Sequence, residues 1–297
     1  MPEVTFGINV SAVSSQRDFI QLVCRADALG YDVFAVPDHL GALAPFAALT
    51  AAGMISERLR LRTCVLNTGF WNPALLARAV ATLDVLSRGR AELGLGAGHM
   101  RSEHEDAQLP WLPLGQRVVA LEQMVLEVRR RLADEAHQPR PVQRSVPLMV
   151  GGMSSPVLSV AARHAEIVSF TGLRQVQGAP AGTFTVCSAA EMVKRVDDVR
   201  RRAGGRRYRS DVLLQWVVIG HDPEDAAAQI AASAPGLLTA AQLLASPVAL
   251  LARDVGHAVE QLRRRQQVYG FDSVTTHQAN LEALGDVIAA HRAADAA

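Results

Sequence analysis

Ala81-Thr82-Leu83-Asp84-Val85-Leu86-Ser87-Arg88-Gly89-Arg90-Ala91-Glu92-Leu93-Gly94-Leu95-Gly96-Ala97-Gly98-His99 changes period part-way along. Up to Leu86 the apolar residues belong to a helical pattern that starts at Pro73. Ser87 to Arg90 is polar and contains a glycine, and Ala91 to Leu95 is a short strand-like run. The unit is helix, turn, strand, and it repeats along the chain.

Working outward, strands are expected at Val4–Val10, Asp32–Val36, Leu59–Leu66, Ala91–Leu95, Val146–Val150, Glu166–Phe170, Val212–Ile219 and Ser273–Thr276. Helices are expected at Ser15–Leu29, Pro45–Ser56, Pro73–Leu86, Gln116–Leu132, Pro156–His164, Ala189–Arg202, Pro223–Ser233, Asp254–Tyr269 and Ala279–His291. Alternation of this kind calls for a parallel sheet with crossover helices. Eight such units favour a closed (β/α)8 TIM barrel in the α/β class, formed by residues 1–297 as one domain. The loops Gly96–Gly115 and Thr171–Ser188 are long enough to suggest function.

Composition narrows the chemistry. The 297 residues are 49% hydrophobic and carry a formal charge of +1, so there is ample core material and no electrostatic footprint for nucleic acid or an acidic membrane. No apolar run is long enough for a membrane span, and Met1-Pro2-Glu3-Val4 lacks a leader pattern. Three scattered cysteines fit a reducing cytoplasm, the expected location. Lys194 is the only lysine, which removes a Walker lysine and a strand-borne Schiff base. No metal-binding spacing is present, and no metal is expected.

In a barrel the chemistry lies at the carboxyl ends of the strands. After strand two come Asp38 and His39, a carboxylate and an imidazole able to hold a polar ring edge and move a proton near neutral pH. Strand four leads to Gly96, Ala97, Gly98 and His99, where bare backbone could approach a flat ring and a second imidazole enters the same mouth. After strand five come Gly151, Gly152, Met153, Ser154, Ser155 and Pro156; Ser155 reads as the cap and Pro156 as the first helical residue of a helix whose N–H groups could meet an anion.

These stretches resemble the luciferase-like monooxygenase superfamily, in its coenzyme F420-dependent branch. The likeness runs through Ala26–Asp32, Val36–Leu40, Asn72–Arg78, Ala81–Arg90, Leu93–Gly98, Val150–Gly152 and Tyr269–Phe271, and Ser87-Arg88-Gly89-Arg90 with the strand after it is its most specific part. The resemblance implies a cofactor ring at the carboxyl face and a non-proline cis peptide on strand three, here at Cys64-Val65, forming a bulge behind the ring. It implies that Asp38 and His39 lie near the ring and that Gly151 and Gly152 lie near the cofactor phosphate. It also implies a homodimer packed through helices two and three. His99 stands where relatives often carry Trp or Glu, and Met153-Ser154-Ser155 replaces a loop richer in glycine and arginine.

The function expected is hydride transfer between coenzyme F420 and a small organic substrate at C=C, C=N or C=O. His39 is the expected proton-handling residue, and His99 the alternative. Two other readings stay open: an FMN-dependent monooxygenase on the same fold, and a degenerate barrel that binds a ligand or partner without catalysis.

Overall fold

The computed structural model describes residues 3–180 and 182–296, with side chains up to residue 294. The first half contains β1 (Thr5–Asn9), α1 (Gln16–Ala28), β2 (Val33–Val36), α2 (Pro45–Ile55), β3 (Arg60–Thr63), β4 (Leu66–Asn67), α3 (Pro73–Leu86), β5 (Ala91–Gly96), α4 (Arg101–Asp106) and α5 (Leu114–Ala133). The centre contains β6 (Leu148–Gly152), α6 (Ser155–His164), β7 (Ile167–Phe170), β8 (Leu173–Gln175), β9 (Phe184–Val186) and α7 (Ala189–Ala203). The rest is β10 (Arg209–Leu214), β11 (Trp216–Ile219), α8 (Pro223–Ser233), α9 (Ala240–Ala245), β12 (Ala249–Ala252), α10 (Val255–Tyr269), β13 (Ser273–His277) and α11 (Leu281–Ala296).

Eight parallel strands close on themselves in the order β1, β2, β3, β5, β6, β7, β10, β13 and back to β1. The fold is the expected (β/α)8 barrel. Period-two alternation divides the core. Phe34 and Val36 of β2 pack outward into the layer between strands and helices, whereas Val33 and Ala35 join Cys64, Met149 and Ile167 inside the barrel.

Nearer the amino ends of the strands the interior is ionic. Glu92 accepts from Arg62 Nε at 2.6 Å, Arg60 Nε at 2.5 Å and Arg209 Nη2 at 3.0 Å. Asp211 accepts from the hydroxyls of Ser169, Ser273 and Thr275 at 2.6 to 2.8 Å. Burial opposes the charge on Glu92, but its three arginines win and hold the carboxyl at about 2. These ions are built from several strands at once, so removing one partner would strand a charge in the interior.

The Ser87-Arg88-Gly89-Arg90 turn has a mechanical explanation. Arg88 and Gly89 both take positive φ, 56° and 81°. That turn aims Arg90 at four carbonyls: Ser87, Gly53, Ser56 and Leu59, at 2.7 to 2.8 Å. One side chain thereby satisfies carbonyls at the end of α2 and ties α2 to α3 and β3.

Three expectations need correction. Leu59–Leu66 is not one strand: the Cys64-Val65 peptide is cis and separates β3 from β4. Val212–Ile219 is also divided. β10 stays in the barrel, and after Gln215 the chain leaves it as β11, which pairs in parallel with β12. β12 was not expected, because Ala249-Leu250-Leu251-Ala252 reads equally well as helix. Thirdly, the N-cap position of α6 falls to Ser154 and not Ser155, which moves Pro156 one place further into the first turn.

Candidate active site

The carboxyl end of β2 delivers Asp38 and His39 to the barrel mouth, where other strands fix them. Asp38 Oδ2 accepts the Trp71 indole N–H at 2.8 Å and the Asn67 backbone N–H at 3.2 Å, while Oδ1 receives no hydrogen bond from the described residues. Burial pushes the Asp38 carboxyl above its ordinary value, against the pull of those two donors. His39 Nδ1 lies 2.7 Å from Glu103 Oε1 of α4. The Glu103 side chain is 12% exposed and that of His39 40%, so the ring has a buried anchor and an open edge. A carboxylate at Nδ1 fixes the ring's orientation and leaves Nε2 outside that pair.

His99 meets His39 edge to face, with ring centroids 5.2 Å apart, and Phe184 of β9 covers its other side at 5.4 Å. Burial, aided by the neighbouring His39, lowers the His99 pKa, so that ring is neutral at pH 7. The two imidazoles are thus brought together in different surroundings: one anchored to a carboxylate, the other buried where its charged form is disfavoured.

The predicted bulge is present, and its side chain explains the glycines. A Cβ on Gly96 would come within 2.6 Å of Val65 Cγ2, and one on Gly151 within 3.2 Å of Val65 Cγ1. Gly96 and Gly151 therefore make room for Val65 in the mouth. Gly98 has φ +72°, and a Cβ there would reach 2.5 Å from Asn67 Oδ1. Both sets of contacts are internal to the protein. Arg117, stacked on Trp111 at 3.9 Å, donates to the carbonyls of Ala97 and Gly98 and holds this loop from outside. Cys64 points into the barrel core, and burial pushes its thiol up to about 12, so it stays protonated.

One strand over, Gly151 and Gly152 lead into α6. A Cβ on Gly152 would lie 2.8 Å from Val157 Cγ1, which accounts for that glycine by packing. Ser154 is extended, makes no capping bond, and its Oγ is buried without a partner. Ser155 instead donates to Asp198 at 3.2 Å. A partnerless buried hydroxyl beside an uncapped first turn suits an anionic group.

The luciferase-like monooxygenase family model matches residues 4–283. The chain belongs to that family. Among curated relatives, the F420-dependent glucose-6-phosphate dehydrogenase of Intrasporangium calvum is 35% identical over 130 residues, 40% of this chain and 39% of that one. The enzyme of the same name from Segniliparus rotundus is 27% identical over 244 residues, 74% of this chain and 70% of that one. The first of these alignments spans about two fifths of the relative's length. Solved structures share the fold. An F420-dependent secondary alcohol dehydrogenase in complex with an F420–acetone adduct superposes with TM-score 0.76 at 15% identity, covering 97% of this chain and 99% of that one. The coenzyme F420-dependent tetrahydromethanopterin reductase of Methanopyrus kandleri gives 0.75 at 18% with the same coverage, and a long-chain alkane monooxygenase gives 0.71 at 13%, covering 96% and 91%.

Several residues of this luciferase-like mouth were given no role by the sequence, Glu103 among them although it follows His99 closely. Glu103 lies in a six-residue helix too polar to show a face, so nothing marked it as the partner of His39. Asn67 and Trp71, which hold Asp38, follow the bulge. Asn67 Nδ2 also donates to His104 Nε2 at 3.0 Å, and His104 Nδ1–H in turn meets the Pro110 carbonyl at 3.1 Å. Next round the barrel from β2, Asn9 and His277 are in register at the carboxyl ends of β1 and β13. Asn9 Oδ1 is buried without a partner, and His277 Nε2 sits 3.1 Å from Gln215 Oε1. The usable signal was present: Asn9 interrupts the apolar run that begins at Val4, at a strand's carboxyl end. Among the described residues no cluster could hold a metal ion, and no helix is long and apolar enough to cross a membrane.

Proposed function

We propose that this chain is a coenzyme F420-dependent oxidoreductase that acts on a small organic substrate at C=O, C=N or C=C. The observation that carries the reading is the His39–Glu103 pair at 2.7 Å beside a neutral His99, in the mouth that Val65 enters from the bulge. The F420-dependent curated relatives support it. When bound, the deazaflavin supplies or accepts a hydride. Ser154 and the first turn of α6 would receive its phosphate, Val65 would back the ring, and Asp38 Oδ1 would take an N–H of the ring edge. His39 holds the proton that accompanies the hydride. Reduction of a carbonyl uses an imidazolium that gives its Nε2 proton to the new alkoxide and ends neutral, and oxidation of an alcohol runs the reverse. Glu103 balances the charge of the imidazolium.

The test is side-by-side titration with coenzyme F420 and FMN, each also against Ser154→Asp, which puts a carboxylate at the proposed phosphate position. Tight F420 binding that weakens at least tenfold in the variant, about 1.4 kcal/mol, is expected. Binding of FMN alone would replace this reading with an FMN-dependent monooxygenase. Binding of neither would leave a non-catalytic barrel.

The proposal extends to a cytoplasmic homodimer joined through α2 and α3. Met54 is 72% exposed at the end of α2, and Val85 and Leu86 are 39% and 50% exposed at the end of α3. Arg90 ties the two helix ends together, so the three side chains offer one apolar face.

A further inference from the structure

Outside the barrel, α7 and α10 leave a cavity of about 580 Å³ between them, closed on a third side by α9 and β12. That size lies in the range of small-molecule sites, about 300–1,000 Å³. None of its walls is shared with the barrel mouth. α10 contributes a stripe at helical spacing, from His257 through Gln261, Arg264 and Arg265 to Val268. The facing wall is short and apolar: Ala189 and Ala190 open α7, and Leu244 of α9 comes from the side.

The stripe contains an unbalanced charge. Arg265 Nη2 donates to the Ala249 carbonyl at 2.6 Å, but Nη1 is buried with no partner. No aspartate or glutamate of the described residues lines the cavity, and Arg264 adds a second cation at its edge. A guanidinium taken out of water without a carboxylate is costly, and burial drives its pKa down to about 10. Arg62, at 0% exposure, has Glu92 and Asp211 for its charge, whereas no carboxylate of the described residues lines the cavity beside Arg265. Gln261 Nε2 is already given to the Leu251 carbonyl at 2.7 Å and Ser246 Oγ to the Cys187 carbonyl at 2.9 Å; His257, Arg264 and Tyr269 also line the wall, and Arg265 Nη1 is its buried donor left without an acceptor among the described residues. A phosphate dianion needs several convergent donors, whereas a carboxylate is matched by one arginine fork.

We propose that the α7–α10 cavity binds a small monocarboxylate carried on an apolar body, with Arg265 as its counter-ion. The carboxylate meets the Arg265 guanidinium, and the hydrocarbon lies along Ala189, Ala190 and Leu244. The site is independent of the cofactor reading, since the two share no residue.

The full-length protein is titrated calorimetrically with octanoate, 1-octanol and octyl phosphate. Octanoate should bind at least tenfold more tightly than the other two. Arg265→Met should remove that preference while leaving octanol binding as it was. Val193→Trp should fill the cavity from its rim, where Val193 is 38% exposed, and abolish octanoate binding without changing the melting temperature. Equal affinity for octanoate and octanol, or undiminished octanoate binding in Arg265→Met, overturns the proposal. So does a preference for octyl phosphate, or displacement of octanoate by coenzyme F420, which would put the acid in the barrel mouth. If Arg265→Met does not fold, Val193→Trp decides alone, and octanoate binding retained there refutes the site.

Discussion

His39 and Glu103 are 64 positions apart and meet only because β2 and α4 open onto the same barrel mouth. With a carboxylate at Nδ1, the imidazole has one nitrogen left for substrate, and the residue-scale prediction follows from that. His39→Asn should lower kcat by roughly 10²–10⁴ and leave coenzyme F420 affinity nearly unchanged. Glu103→Gln should give a smaller fall in kcat, and His99→Asn the smallest of the three, because His99 is already neutral. Steady-state kinetics on a panel of carbonyls, imines and activated alkenes checks this, and full activity in His39→Asn with loss in His99→Asn would exchange their roles. A second prediction concerns pH and stability. Burial lowers the pKa of both His99 and His277. In the unfolded chain an imidazole titrates near 6.5, so below about that pH the unfolded state binds more protons and stability is lost as pH falls. Urea midpoints at pH 7.5 and pH 5.5 should therefore differ more for the wild type than for a His99→Gln/His277→Gln double variant. Equal losses in the two proteins would show that these rings do not contribute.

Arg90 acts at the scale of elements, and it shows why a local motif can be specific. Arg90→Met leaves four backbone carbonyls, two of them on the segment that follows α2, without their donor. The expected cost is about 2–4 kcal/mol in chemical unfolding, with Arg90→Lys recovering only part of it, since an ammonium cannot span the same carbonyls. An unchanged midpoint in Arg90→Met would mean that water replaces the guanidinium there. Period and punctuation made the barrel's eight strands legible, because a parallel strand buried on both faces must be short and apolar and its helix must be longer and two-faced. They could not reveal where β10 ends and β11 begins, since a strand that leaves its sheet after Gln215 keeps the same alternation. Asp38, His39 and His99 were visible as polar residues at strand ends. Glu103 and Trp71 were not, because their roles depend on a contact across elements and not on any feature of their neighbours in sequence. The glycines were visible, but their reason was not: Val65 and Asn67 occupy the space a side chain would need.

At the scale of the whole molecule, the exposed Met54, Val85 and Leu86 make oligomeric state the property to measure. Met54→Asp combined with Leu86→Asp should convert a dimer to a monomer in light scattering after size exclusion, with the melting temperature of the barrel nearly retained. A wild type that is already monomeric, or a double variant that still dimerises, would remove α2 and α3 as the joining face. The ionic layer of Arg62, Glu92 and Asp211 has a consequence of another kind. These side chains lie in the barrel at 0 to 1% exposure and are held by residues from five strands, so the interior has a floor. A ligand held at His39 under the proposed function would therefore find no passage through this layer, and its exchange with solvent would run through the carboxyl end of the barrel.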